Sequence, residues 1–268
     1  MAQVLVIDDS RLAGLVVDRI LSAKNITTAH VRTAAEVFGM KGKPSFLREN
    51  QPEVILLDIM MPDMDGLDIL RKLKSMTKEK NIPVIMISAS SSEANVLESV
   101  NRGAVGFLSK PIAADKLLAE LAKVASISGV TDMVHKLAEF IDPSRKAESQ
   151  HGELIVGPAN LNYLLEILDG DKEMMYELVQ VFIEDMPGQV EDMRMSLEDH
   201  DSQLFRRSAH TFKGSVGNMG ANLLTQKAAE LEELGAAGDL EKAQPIFNQL
   251  KRDSEELYGA LTSWLNGT

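Results

Sequence analysis

The sequence predicts an α/β domain followed by an all-α domain. Up to about residue 126, apolar strand-like runs alternate with amphipathic stretches; from about 160 onward, apolar residues recur at helical spacing without strand alternation. Charge divides in the same region: residues 1–126 carry a net +1 and residues 127–268 a net −13. The 268 residues include 28 Lys and Arg, 40 Asp and Glu, and no Cys. At roughly 100–200 residues per domain, that length fits two domains. Absence of Cys excludes disulfides, thiol catalysis and thiolate metal sites. Acidic residues appear by position 8 and no apolar run approaches the roughly 18 residues that cross a bilayer, so a cytoplasmic protein without membrane association is expected. The acidic second half argues against a nucleic-acid-binding output domain, whose affinity would come from Lys and Arg against phosphates.

In the first half the strand candidates are VLVID at 4–8, AHVR at 29–32, VILLD at 54–58, VIMIS at 84–88 and VGFLS at 105–109. Three of them, at 4–8, 54–58 and 84–88, are almost wholly apolar before a polar terminus, as central parallel strands buried on both faces should be. Helices are expected near 11–22, 33–39, 66–76, 93–101 and 113–126. Together these make a doubly wound (βα)5 sheet.

Open sheets of this kind bind ligands at the carboxyl ends of their strands. Those ends hold Asp8 and Asp9, Asp58, Ser88, and Lys110 followed by Pro111. Any one of these acids, taken alone, is better explained as the cap of the loop after its strand. Three converging carboxylates, however, need their repulsion relieved, and a hard divalent cation such as Mg²⁺ suits oxygen ligands. With the Lys110 charge and the Ser88 hydroxyl added, the set fits phosphoryl transfer governed by positioning and electrostatics.

The segments IDDS at 7–10, LLDIMMPDMDG at 56–66, SAS at 88–90 and GAVGFLSKP ending at Pro111 resemble the receiver domain of two-component response regulators over about residues 3–125. The resemblance implies that Asp58 is the phosphoacceptor. It implies Mg²⁺ held by Asp9, Asp58 and the Met60 carbonyl, with Asp8 acting mostly through water. Ser88 and the Ala89 amide would contact the phosphoryl group, Lys110 would pair with it, and Lys110–Pro111 would be cis. Phe107 matches the family's switching aromatic, moving in concert with Ser88; from its own surroundings, a Phe in an apolar strand is equally a core residue. Met60, Met61 and Met64 are expected in loop and packing roles, since thioethers do not suit Mg²⁺. The stretch MKGKPSFLRENQP at 40–52 lengthens the connection beyond the family's usual size, and is expected to be a basic solvated loop containing Lys41, Lys43 and Arg48.

A short helix is expected in TDMVHKLAEFID at 131–142, ended by Pro143, and PSRKAESQHGELIVGP at 143–158 reads as a linker. As a flexible coil, its 16 residues would span roughly 20–24 Å. The expected organisation is 1–126, a connecting region at 127–152, and a helical domain at 153–268. In the latter, breaks at 169–170, 187–188, 200–201, 220–221 and 238–239 separate segments near 160–168, 171–186, 189–199, 202–219, 222–235 and 239–265. Short connections make this an antiparallel helical bundle.

Gly214 and Gly217 lie where a helix should run, each costing about 1 kcal/mol relative to Ala. They sit four and seven residues after His210, on its face, with Lys213 beside it and Arg206 and Arg207 one turn earlier. That spacing would expose the imidazole to an approaching partner and place cations near a phosphoryl group on it. His30, His135, His151 and His200 have no such setting and read as surface or core residues. AHTFKGSVGNMGA resembles the phosphoacceptor motif of histidine-containing phosphotransfer (HPt) domains over about residues 153–268. The resemblance implies His210 as the phosphorylated residue, Lys213 as its electrostatic partner and Gly214 as clearance.

A carboxylate and an imidazole acceptor on one chain imply a phosphorelay, with a sensor histidine kinase and other receiver or HPt proteins as partners. No glycine-rich ATP-binding box accompanies His210, so the chain is not expected to be a kinase. Two alternatives remain: an interaction module switched by phosphorylation at Asp58, with His210 idle, and a regulator whose bundle binds DNA. The sequence carries no signal for oligomeric state.

Overall fold

The computed structural model describes residues 3–39, 45–61, 63–76, 82–88, 93–137, 154–168 and 170–267. It divides into two compact units, Met1–Glu148 and Ser149–Thr268.

In the first unit, β1 (Val4–Ile7), β2 (Thr28–Val31), β3 (Val54–Asp58), β4 (Val84–Ser88) and β5 (Gly106–Ser109) form one parallel sheet in the order β2-β1-β3-β4-β5. Every residue of β1, β3 and β4 is buried, which explains their unbroken apolar sequences. The chain passes from β1 to β2 on one side and returns to β3 on the other. The β1–β3 crevice is therefore the topological switch point, where such sheets place their ligands. Asp58 pairs in register with Ile87 and Ser88 with Ser109, so the polar ends of β3, β4 and β5 emerge at one edge.

The connecting helices are α1 (Arg11–Ser22), α2 (Ala34–Phe38), α3 (Phe46–Glu49), α4 (Gly66–Met76), α5 (Glu93–Asn101) and α6 (Ala114–Ser128), followed by α7 (Thr131–Lys136). Ser10 and Thr33 cap α1 and α2 by accepting from Ala13 N and Glu36 N. Gly39, at φ +72°, ends α2 after five residues in the left-handed conformation that glycine favours.

Part of the expected solvated loop at 40–52 is structured instead. Residues 46–49 form α3, Phe46 and Leu47 pack against the sheet core, and buried Ser45 donates to Val37 O. These two apolar side chains gain more from the core than from water. Lys41, Lys43 and the Arg48 side chain lie outside the described residues. Of the helix expected at 131–142, α7 covers 131–136 and ends at Leu137 rather than at Pro143, while 138–142 lie outside the described residues; Met133 and Leu137 are fully buried on this unit, and the Gln3 amide donates to Asp132 and accepts from Lys136.

In the second unit, β6 (Ile155–Val156) and β7 (Ala159–Asn160) make a small antiparallel pair, followed by α8 (Leu161–Ile167), α9 (Lys172–Glu198), α10 (Ser202–Asn218), α11 (Asn222–Ala237) and α12 (Leu240–Gly267). The β6–β7 pair corrects the linker expected at 143–158: residues 155–156 are paired, with Gly157 at φ +54° in the turn, while 143–153 lie outside the described residues.

The break expected at Pro187–Gly188 is also overturned, since α9 runs through it for 27 residues. An interior Pro costs about 3 kcal/mol and a Gly about 1. Phe182 and Met186 before the proline, and Met193 and Leu197 after it, are all buried at about 1.5–3 kcal/mol each, which outweighs that cost only if the helix stays whole. At the far end of the bundle the Tyr176 ring stacks on Trp264, centroids 4.8 Å apart and planes 14° from parallel.

Helices α10 and α11 approach closely because α11 has Gly235 at the crossing, where a Cβ would lie 2.9 Å from Arg206 Cα and 3.0 Å from its backbone nitrogen. Gly235→Ala is expected to destabilise the second unit by about 1–3 kcal/mol through overpacking, read as a lower urea midpoint with unchanged slope; an unaltered midpoint would show that the helices are not locked at this level.

Candidate functional site

The polar strand ends converge. One carboxylate oxygen each from Asp8, Asp9 and Asp58 lie within 4.8 Å of one another, and Asp8 and Asp58 are fully buried. Lys110 reaches back from the end of β5, with Nζ 2.6 Å from Asp58 Oδ2 and 2.8 Å from Asp8 Oδ2. Burial alone would lower the pKa of this ammonium, but the adjacent Asp58 and Asp8 charges hold it well above the usual lysine range. Its backbone is fixed as well: Lys110 N donates to Ser88 O at 2.8 Å, and the Lys110–Pro111 peptide is cis.

The loop after β3 wraps the acid. Met60 N donates to Asp58 Oδ1 at 3.3 Å, Gly66 N donates to Ile59 O, and Asp65 caps α4 through Leu67 N. Gly66 sits flush on the end of β3, where a Cβ would be 2.2 Å from Asp58 O, so no larger residue fits without moving the phosphoacceptor candidate. Ser88 is buried at the end of β4. Phe107, paired in register with Met86, is half-buried against the core. Met61 is buried and Met64 packs on the same core, as expected for packing residues, whereas Ala89 lies outside the described residues. Three carboxylates against one ammonium leave excess negative charge in a covered crevice, and this oxygen donor set fits a hard divalent cation of the Mg²⁺ type.

The second candidate differs from expectation. His210 is only 3% exposed, not open to solvent. Its Nδ1 is 2.9 Å from Glu232 Oε1 on α11, and Lys213 Nζ donates to Glu232 Oε2. Glu232 lies three residues before Gly235, on the part of α11 that packs closely against α10. Burial alone would raise the Glu232 pKa, but hydrogen bonds and charge from His210 and Lys213 hold it down to about 2. A carboxylate that stays ionised takes its hydrogen bond from Nδ1–H, which assigns the neutral ring's lone pair to Nε2. That nitrogen is covered and, among the described residues, has no hydrogen-bond partner.

Gly217 needs no glycine for packing, since a Cβ there would meet only Thr225 Oγ1 at 4.0 Å. Arg206 is exposed, and its backbone forms the Gly235 contact. The sequence reading missed Glu232 and Gly235 altogether. The available signal was the short α10–α11 turn, which sets His210 opposite Glu232 and Arg206 opposite Gly235 to within a turn of helix.

The two parts of the chain match two domain families of phosphorelay proteins. Residues 4–122 match the response regulator receiver domain and residues 177–260 the Hpt domain, so the chain joins an N-terminal receiver domain to a C-terminal Hpt domain and belongs to two-component signal transduction. It is 29% identical over 208 residues to a protein-glutamate methylesterase/protein-glutamine glutaminase of Syntrophotalea carbinolica, covering 70% of this chain and 53% of that protein. It is 26% identical over 231 residues to the sensory/regulatory protein RpfC of Xanthomonas campestris, covering 85% of this chain and 30% of that one. The chain thus spans about half or less of these relatives' length. Among solved structures, the chemotaxis protein CheY4 of Vibrio cholerae aligns at 26% identity over 46% of this chain and 98% of its own, with a TM-score of 0.41. No helix among the described residues is long and apolar enough to cross a membrane.

Because the Glu232 carboxyl is depressed from 4.5 to about 2 in the folded state, its stabilising contribution is present above about pH 4.5 and lost as pH falls toward 2. Glu232→Gln should therefore lose about 1–3 kcal/mol less than the wild type when urea unfolding at about pH 6 is compared with about pH 3; equal losses would show that Glu232 carries no such linkage.

Proposed function

We propose that this chain relays phosphoryl groups through Asp58 and His210, exchanging them with a sensor histidine kinase and with other receiver or HPt proteins. The observation that carries this function is Lys110 Nζ at 2.6 Å from Asp58 inside the acid trio, which prepares a carboxylate nucleophile beside a fixed positive charge. In the transfer, an Asp58 carboxylate oxygen forms a bond to phosphorus as the donor's P–N bond breaks, and the released imidazole regains its lone pair.

Asp9, Asp58 and the Met60 carbonyl would hold Mg²⁺, with Asp8 acting through water. The bound ion would supply charge neutralisation at the phosphoryl oxygens. Ser88 and the Ala89 amide hold one phosphoryl oxygen and Lys110 another, while Phe107 and Ser88 change position together to signal the modified state. In the Hpt domain, Glu232 fixes the ring through Nδ1 and leaves Nε2 as the nucleophile, and Lys213 supplies the neighbouring cation. Both acceptors are covered at rest, so exchange requires side-chain motion around Asp58 and His210. The protein itself is a phosphoacceptor acting in the cytoplasm, with ATP chemistry left to the partner kinase.

The covered Nε2 of His210 favours a second function, an interaction module switched at Asp58 with His210 idle. Phosphohistidine is labile to acid and survives base, whereas an acyl phosphate is lost in base and hydroxylamine, so the two differ in measurable terms. Incubation with a partner kinase, ATP and Mg²⁺ should yield both kinds of label. Asp58→Ala should remove the base-labile fraction and His210→Ala the acid-labile one. Only base-labile label would select the switch module, and label undiminished in the double variant would refute both.

A further inference from the structure

Four hydrogen bonds link the β2–α2 edge to the acid cluster and the loop after β3, two to backbone carbonyls and two to the Asp63 carboxylate. His30 Nε2, on β2, is 2.6 Å from Asp8 O, and its ring fills the space over Gly14, where a Cβ would be 2.2 Å from Nδ1. Arg32, just past β2, donates from Nε to Asp9 O at 2.9 Å. The other two end on a side chain: Asp63, in the loop between β3 and α4, accepts from Ala34 N through Oδ1 at 3.0 Å and from Ala35 N through Oδ2 at 3.2 Å.

Ala34 and Ala35 open α2, and their N–H groups have no acceptor within the helix. A carboxylate taking both is favoured by hydrogen bonding and by the positive end of the peptide dipoles. The consequence falls on the loop. Its ends are fixed at Ile59, whose nitrogen donates to Ile87 O, and at Gly66, whose nitrogen donates to Ile59 O. Asp63 is itself tied sideways to α2, three residues after Met60, whose carbonyl is the one backbone ligand of the proposed ion.

We infer that Asp63 is a positioning residue of the cation site: it touches neither ion nor phosphoryl group, but holds the Met60 carbonyl where a ligand must stand, while His30 and Arg32 hold the facing Asp8–Asp9 backbone. This rests on the Mg²⁺ assignment made above. Groups that orient metal ligands from behind typically change affinity 10–100-fold when removed.

Isothermal titration of the full chain with MgCl₂ tests it. Wild type should bind Mg²⁺. Asp63→Ala should weaken Kd about tenfold or more with unchanged stoichiometry, while circular dichroism and the thermal midpoint show a folded protein at the titration temperature. Asp63→Asn keeps one acceptor oxygen and should fall between the two, and it carries the comparison if the alanine variant does not fold. A folded Asp63→Ala protein that binds within about twofold of wild type overturns the positioning role and leaves the Mg²⁺ assignment standing. Wild type that binds no Mg²⁺ overturns the assignment and the inference together.

Discussion

Three carboxylates held within 4.8 Å of one another set the terms for the first unit. Two unit charges at that distance, with an effective dielectric of about 20, repel by about 3–4 kcal/mol. Lys110 offsets part of this by standing between Asp8 and Asp58, but one ammonium cannot neutralise three acids. The remainder is borne by the scaffold. Fully buried β1, β3 and β4 anchor the acids at their tips, and Gly66 lets α4 start directly against Asp58 O. A crevice with excess negative charge and a rigid rim is predisposed toward a cation and, once the charge is reversed, toward a phosphoryl group.

Most of this unit was legible in the sequence because strands buried on both faces read as unbroken apolar runs, which are strong local signals. The five strands and α1, α4 and α5 fall within a residue of their expected limits. Asp8, Asp9, Asp58, Ser88 and Lys110 lie at strand ends, where fold class alone places a ligand site. What escaped was the contribution of side chains to the backbone of other segments. Nothing local marks Asp63 as bonded to α2, or His30 as bonded to Asp8 O, because those contacts depend on strand order.

The helical unit was legible in its turns and less so in its contacts. Gly170, His200, Gly220 and Gly238 occur at four of the expected breaks, each with positive φ, whereas Pro187 is carried through because apolar residues on both sides share one buried face. A single-helix view of His210 made it exposed, since only the neighbouring helix supplies Glu232. Burial of that imidazole is thus a property of a helix pair, and the exposure expected from Gly214 and Gly217 was right about helical phase but blind to α11.

The ring pair that closes the bundle has a practical side. Trp264 is the sole tryptophan of the chain and lies flat on Tyr176, so indole emission arises wholly from the Hpt portion. Spectral changes on adding a donor or ion therefore report on α9 and α12, while the receiver remains optically dark at that wavelength. Nature has, in effect, labelled one half of the molecule.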